Sequence, residues 1–232
     1  YIFATAILRK ARNSKKVIKR IKEETGLEVD LLSGTQEAHY GFVGAMNSIR
    51  VDDGVQFDIG GGSTEIVLIE GGKAVHAESL NFGSLSLYLD WVHTLMPTAR
   101  EQERIAAYVQ HEISQIPEFS GKEFPVIVGV GGTIRASGKL KDDLIAHAYD
   151  PGYHSVTTQE LDELLHMVAY DAHDAMRKLL NVVPDRIHTA IPGMIVVRTI
   201  AEHFGADLIE ISKYGVREGY LLDRVLGVNS GL

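Results

Sequence analysis

The segment Asp58-Ile59-Gly60-Gly61-Gly62-Ser63-Thr64-Glu65 constrains this chain more than any other stretch of similar length. Apolar, β-branched runs flank three consecutive glycines, so two strands meet across a turn where backbone N–H groups can converge on an anion with no Cβ in the way. Ser63 and Thr64 add hydroxyl donors. Asp58 and Glu65 stand at a spacing that lets both carboxylates approach a phosphate-bound Mg²⁺, an ion usually held by one or two carboxylates, waters and phosphate oxygens. A bare triple glycine would equally suit a β-turn between solvated acids. The apolar strands on both sides, with Asp before and Ser-Thr-Glu after, favour the anion cradle.

The pattern around this turn sets the expected architecture. Strands are predicted at residues 55–59, 65–70 and 73–80, with Gly71-Gly72 as a tight hairpin turn. Helical periodicity follows over 83–95 and 98–116, divided by Pro97. The short β-branched run 124–130 reads as a buried parallel strand. A long helical region is expected from about 134 to 203, interrupted near Asp150-Pro151-Gly152 and Pro184, then a strand at 207–212 and a helix at 216–226. Ahead of all this, a strand-like opening leads to a helix capped by Asn13 or Ser14, with Val17, Ile18 and Ile21 as its stripe and Gly26 as its end. A strand at 28–32 and a helical run through Val43 come next. A domain boundary is predicted at about 47–54, dividing the chain into 1–50 and 51–232. The fold class is therefore α/β, a mixed sheet in the order β-β-β-α-β-α-β-α with antiparallel hairpins first and helical crossovers later. The doubly wound dinucleotide fold alternates from its first strand and does not fit.

Charge excludes some partners. The 232 residues carry a formal net charge of -8, which argues against general nucleic-acid binding. The distribution is uneven: residues 1–22 hold eight cations and no acid, leaving 15 cations against 31 acids in the remainder. That basic end reads either as an electrostatic platform for a polyanion or as a solvated helix face. No window approaches 18 consecutive apolar residues, so no membrane span is expected. The absence of cysteine removes disulfides and thiolate metal sites and suits the cytoplasm.

Two further features carry chemistry. Gly129-Val130-Gly131-Gly132-Thr133 follows a predicted strand and opens a helix, where N-terminal amides can receive a phosphate; a tight strand-to-helix turn would look the same. Glu37 follows Ser33-Gly34 and is placed to face the hairpin across a cleft, although the residues alone rank it level with many other acids. Ten histidines include no His-Glu-x-x-His, and His166 and His173-Asp174 read as helix-surface residues. Arg186 and Arg217 suit a structural salt bridge as well as a substrate contact.

Several segments together resemble the exopolyphosphatase and guanosine pentaphosphate phosphohydrolase family, a branch of the actin-like ATPase superfamily. They are Ala4-Thr5-Ala6 through Arg9 and Asn13, Leu32-Ser33-Gly34 through Glu37-Ala38, Asp58 through Glu65, Phe82-Gly83-Ser84, Gly129 through Thr133, Pro184-Asp185-Arg186, and Ser212 through Gly219. The resemblance implies an actin-like (ribonuclease H-like) fold in which Glu37 is the general base. Arg9 neutralises phosphate oxygens, and Gly60, Gly61, Gly62 and Ser63, with Gly131, Gly132 and Thr133, bind phosphate. Asp58 and Glu65 serve Mg²⁺ (or Mn²⁺), and a homodimer is allowed. Two departures matter. Gln36 stands where many relatives have an acid, and nothing in residues 1–30 matches the family's first Asp-x-Gly-Ser phosphate loop. The chain is thus expected to begin partway through a first actin-like domain, which puts its activity in isolation in question. A larger C-terminal accessory domain of some relatives also has no counterpart here.

The expected activity is release of terminal orthophosphate from inorganic polyphosphate by water attack. The alternatives are hydrolysis of the 5′ phosphate of guanosine pentaphosphate and noncatalytic binding of polyphosphate or a guanosine alarmone. A sugar kinase or chaperone-type ATPase is disfavoured by residues 212–219 and 32–38.

Overall fold

The structure is a computed structural model that describes residues 1–145 and 154–228. The interruption expected at Asp150-Pro151-Gly152 lies outside the described residues.

The first 33 residues form a small module. Strand β1 (Ile2–Ala4) pairs in parallel with β2 (Val29–Leu31), and between them lie the short helix α1 (Ala6–Lys10) and helix α2 (Ser14–Thr25). Helix α2 ends where Gly26 turns left-handed, as the sequence predicts, and it buries none of its residues. Three of its cations pair locally, Lys19 with Glu23, Arg20 with Glu24 and Lys22 with Glu28. Arg12, Lys15 and Lys16 make no ion pair among the described residues.

Helix α3 (Gly34–Met46) then leads to the central sheet. Ser33 caps it through a reciprocal pair of bonds with Gln36, at 3.1 and 2.9 Å. Gln36 thereby does the capping work an acid would do at that position. The sheet has six strands in the order β5-β4-β3-β6-β8-β7, namely β3 (Gly54–Ile59), β4 (Thr64–Glu70), β5 (Lys73–Leu80), β6 (Val126–Val130), β7 (Ser155–Thr157) and β8 (Leu208–Ile211). Pairs β3/β4, β4/β5 and β7/β8 are antiparallel, while β3/β6 and β6/β8 are parallel. The β4–β5 turn uses Gly71 and Gly72 at φ 57° and 73°, the pair of positive values that a type I′ turn requires.

One departure from the expected order is β7. It falls within the region read as helical, just after the interruption expected near residues 150–152, and only its antiparallel pairing with β8 defines it. Two helices, α4 (Ser84–Trp91) and α5 (Ala99–Ser114), follow the hairpins on either side of Pro97, as the sequence predicts.

The two faces of the sheet differ. On one, Val55, Phe57, Ile59, Ile66 and Leu68 meet a large core completed by α5, α6 (Gly131–Leu144) and α7 (Ala190–His203). On the other, Ala38, Phe42 and Val43 of α3 pack on Val67 and Ile69. Alternation along a strand assigns Asp58 of β3 and Glu65 of β4 to this second face, beneath the start of α3. No described helix is long and apolar enough to cross a membrane.

Candidate active site

Strand register assembles the acidic part of the site. Asp58 lies directly opposite Glu65, and Glu65 directly opposite Ser79 on β5, so the three side chains stand in a row on one face. Ser79 donates to Glu65 Oε1 at 2.8 Å. Glu37, in the first turn of α3, overhangs this row and raises the proton affinity of both acids. Asp58 is pushed up to about 7 by burial first, then by Glu65 and Glu37, with Arg135 opposing. Glu65 is likewise pushed up to about 7 by burial and Glu37, against the Ser79 and Ser63 hydroxyls and Arg9. Three carboxylates so close, two of them reluctant to ionise, form a site short of positive charge.

Arg9 supplies part of it. Its Nη1 donates to Glu37 Oε2 at 3.0 Å and to the Leu32 carbonyl at 2.7 Å. The residue expected to neutralise phosphate is thus already engaged in orienting Glu37. Gly34 permits this crowding, since a Cβ there would lie 2.5 Å from Ser79 Cβ and Oγ and 3.8 Å from Arg9 Nη2.

The glycine hairpin is held by its carbonyls. Gly60 accepts from the Ser84 N–H at 2.9 Å, and Gly61 accepts from the Leu85 and Ser86 N–H groups, each at 2.9 Å. Each peptide unit is planar and trans, so its carbonyl and the next residue's N–H point opposite ways. Anchoring those two carbonyls to the start of α4 therefore turns the Gly61 and Gly62 N–H groups outward. The N–H groups of Gly61, Gly62 and Ser63 have no partner among the described residues. Gly83 makes this docking possible: a Cβ there would meet Gly60 O at 2.5 Å and Gly61 C and Gly62 N at 2.7 Å.

Ser63 and Thr133 stand differently from the sequence expectation of direct phosphate contact. Ser63 is buried and its hydroxyl faces the Glu65 side without a well-formed hydrogen bond. The Thr133 hydroxyl is also buried and donates to the Ile59 carbonyl at 2.8 Å, tying α6 to the end of β3. Gly131 and Gly132 begin α6 against the hairpin. Gly131 has φ 90°, and a Cβ on it would lie 2.2 Å from Asp58 Oδ1.

A cavity of about 440 Å³ opens between the two glycine turns, lined by Asp58, Gly60, Gly61 and residues 131–133, with Arg135, Arg186 and Arg217 around it. Glu37, Glu65, Arg9, Gly62 and Ser63 are outside its lining, on the α3 side. A Cβ on Gly132 would meet Arg186 Nη2 at 2.1 Å, so that arginine lies flat against the turn. Sequence reasoning left Arg186 and Arg217 undecided and did not single out Arg135. Its only signal was its place two residues after Thr133, at the start of the second turn of α6. A roomier cavity of about 900 Å³, beside Asn47, His154 and Tyr214, contains none of the expected site residues.

The residues present fit Mg²⁺. Among the described residues no three His, Cys, Asp or Glu side chains group as a complete metal cage. Mg²⁺ does not need one, because two adjacent carboxylates with phosphate oxygens and waters suffice, and the raised affinity of Asp58 and Glu65 for protons marks where a cation would be welcome. His166 and Asp174 are engaged elsewhere: Asp174 pairs with Arg177 and Lys178, and His166 stacks on Tyr170.

Comparison with known proteins places this arrangement. The chain is 28% identical over 230 residues to a bifunctional 3-dehydroquinate synthase/phosphatase of Fusobacterium nucleatum, covering 96% of this chain and 34% of that protein. It is 24% identical over 227 residues to exopolyphosphatase 1 of Mycobacterium tuberculosis, covering 96% and 66%. It thus spans about a third of the first relative's length and just under two thirds of the second's. The crystal structure of the Aquifex aeolicus member of the Ppx/GppA protein family superposes with a TM-score of 0.80 at 27% identity, covering 98% of this chain and 74% of that one. The description Ppx/GppA phosphatase family matches residues 1–227, through both glycine turns and every carboxylate of the site, and the chain belongs to that family.

Proposed function

We propose that this chain forms the reacting centre of a phosphoanhydride hydrolase that releases terminal orthophosphate from inorganic polyphosphate. The observation that carries the reading is the pair of outward N–H groups at Gly61 and Gly62, without a partner among the described residues, beside a row of carboxylates. Such donors are pre-aimed at an anion and need no reorganisation when it arrives.

Phosphoryl transfer asks a protein for positioning and charge neutralisation more than for covalent help. The hairpin amides receive the terminal phosphate. Glu37, locked by Arg9, takes the proton of a water as its oxygen bonds to phosphorus; the bond to the bridging oxygen breaks and the shortened chain leaves with that electron pair. Asp58 and Glu65 would hold Mg²⁺ (or Mn²⁺), whose chemistry when bound is to neutralise the charge gathering on the phosphate oxygens. Arg135, Arg186 and Arg217 offer cations to the rest of the substrate in the adjoining cavity.

The 5′ phosphate of guanosine pentaphosphate presents the same reacting bond and is the alternative substrate. The test is phosphate release from polyphosphate, guanosine pentaphosphate and ATP by the native protein and by Glu37→Ala. Loss of general-base help is expected to lower kcat by about 10²–10⁴-fold on the true substrate. An undiminished rate on all three would remove Glu37 from the mechanism, and tight polyphosphate binding without turnover would identify a noncatalytic binder.

A further inference from the structure

Strand register fixes where the Glu65 side chain starts and leaves open where its carboxylate ends. The residue stands opposite Asp58 on one side and Ser79 on the other. The torsions further out remain, and the terminal one is broad. When ionised, the carboxylate is repelled by Glu37 overhead and Asp58 alongside, and repulsion alone would turn it out of the row.

Ser79 opposes that rotation. Its hydroxyl donates to Glu65 Oε1 at 2.8 Å, the one well-formed hydrogen bond that Glu65 makes among the described residues. The other groups nearby do less: Arg9 commits Nη1 to Glu37 and the Leu32 carbonyl, and the Ser63 hydroxyl makes no well-formed bond. Ser79 is itself held in place. A Cβ on Gly34 would lie 2.5 Å from both Cβ and Oγ of Ser79, so the first residue of α3 packs directly on that side chain and limits its rotamers. A line of contact thus runs from α3 through Ser79 to Glu65, and the same helix carries Glu37 in its first turn.

We propose that Ser79 is a positioning residue for Glu65: its hydroxyl, backed by Gly34, holds the carboxylate in the row beside Asp58, so that a divalent cation meets a preset pair of ligands. The inference rests on the reading of Asp58 and Glu65 as the residues that hold the cation, and it does not depend on which phosphoanhydride is cleaved. Loss of a group that orients a metal ligand lowers metal affinity by about 10–100-fold. Ser79 makes a single neutral hydrogen bond, so the low end, about tenfold, is expected.

The test measures Mn²⁺ binding to the protein without substrate, through the free-ion electron paramagnetic resonance signal, with Mg²⁺ as competitor. Ser79→Ala, which removes a single oxygen, is expected to raise Kd about tenfold for both ions. Glu65→Gln is expected to weaken binding further while leaving Asp58 to hold the ion. In that background Ser79→Ala is expected to change Kd by less than about twofold, since no carboxylate is left for it to orient. Unchanged affinity in Ser79→Ala, with affinity lost in Glu65→Gln, overturns the proposal and leaves the cation assignment standing. So does a loss of equal size in both backgrounds, which would make Ser79 part of the general packing of β5. If the native protein binds no Mn²⁺, or Glu65→Gln binds it as tightly as wild type, the cation assignment of Glu65 falls and the proposal falls with it.

Discussion

Replacing Gly131 with alanine tests the coupling between the two glycine turns. Two costs can be worked from the geometry. Residue 131 has φ 90°, where an L side chain is strained by about 1–2 kcal/mol. The added Cβ would also lie 2.2 Å from Asp58 Oδ1 and 3.1 Å from its Cγ, so the carboxylate must swing away by roughly an ångström, at about 0.5–1.5 kcal/mol for leaving its rotamer well. Together these predict a loss of about 1.5–3.5 kcal/mol, read as a lower urea midpoint at unchanged slope. The second cost depends on Asp58 and the first does not. In an Asp58→Ala background Gly131→Ala should therefore cost only the backbone portion, giving a coupling of about 1 kcal/mol in the double-mutant cycle. Hydrolytic activity should fall in Gly131→Ala far beyond the stability loss, since Asp58 is displaced from the row. Equal costs in both backgrounds would refute the claim that Gly131 exists to make room for Asp58.

Two other predictions follow from the same geometry. Asp58 and Glu65 are raised to about 7 in the folded chain, above the ordinary carboxylate range they regain on unfolding, so the folded state binds more protons across that interval. Without divalent ions, stability should fall as pH rises from about 4 to about 7 and level off above, by at most about 1.4 kcal/mol per pH unit per proton; Asp58→Asn should flatten the slope, and stability that rises over this window instead would contradict the burial argument. Among the hairpin glycines, Gly62→Ala should leave the urea midpoint unchanged or higher but weaken phosphate binding, because its φ is not positive and its methyl would stand in open space where the anion approaches. Gly83→Ala, driven into the hairpin backbone at 2.5 Å, should destabilise the fold by several times RT, and similar midpoints for the two variants would undo the distinction.

Much of this was legible because the signals are local. Strand alternation and the paired glycines at 71 and 72 carry the β3–β4–β5 meander, and Gly26 ends α2 where a left-handed residue is required. What escaped was long-range. Strand β7 is three residues long, with no periodicity of its own, and exists only because β8 offers an edge. Glu37 could not be told from other acids without the resemblance, since its meaning comes from the overhang of α3 above Glu65. Arg9 shows a similar limit: the resemblance implies a phosphate partner, whereas the fold commits its Nη1 to Glu37 and Leu32. None of the three hairpin glycines has a positive φ, so the turn itself does not demand them, and the close approach to α4 is made by Gly83 instead.

The spacing of Asp58 and Glu65 now has a mechanical reason. Pairing Ile59 with Thr64 and Asp58 with Glu65 leaves Gly60 and Ser63 to close the hairpin, with the Gly60 N–H donating to the Ser63 carbonyl at 2.9 Å. Only Gly61 and Gly62 then remain at the tip. A slip of β4 by one position would move Glu65 to the opposite face, among Phe57 and Ile59, because successive side chains alternate, and the burial of Ile66 and Leu68 in the core holds the register against it. The carboxylate pair and the outward Gly61 and Gly62 N–H groups are thus placed by one register and one turn. A hairpin of this length, docked on the start of α4 by two carbonyls, delivers donors and carboxylates to the same cleft from eight consecutive residues. Glu37, Arg9, Ser79, the second glycine turn and the three arginines of the cavity are brought to it by the rest of the fold.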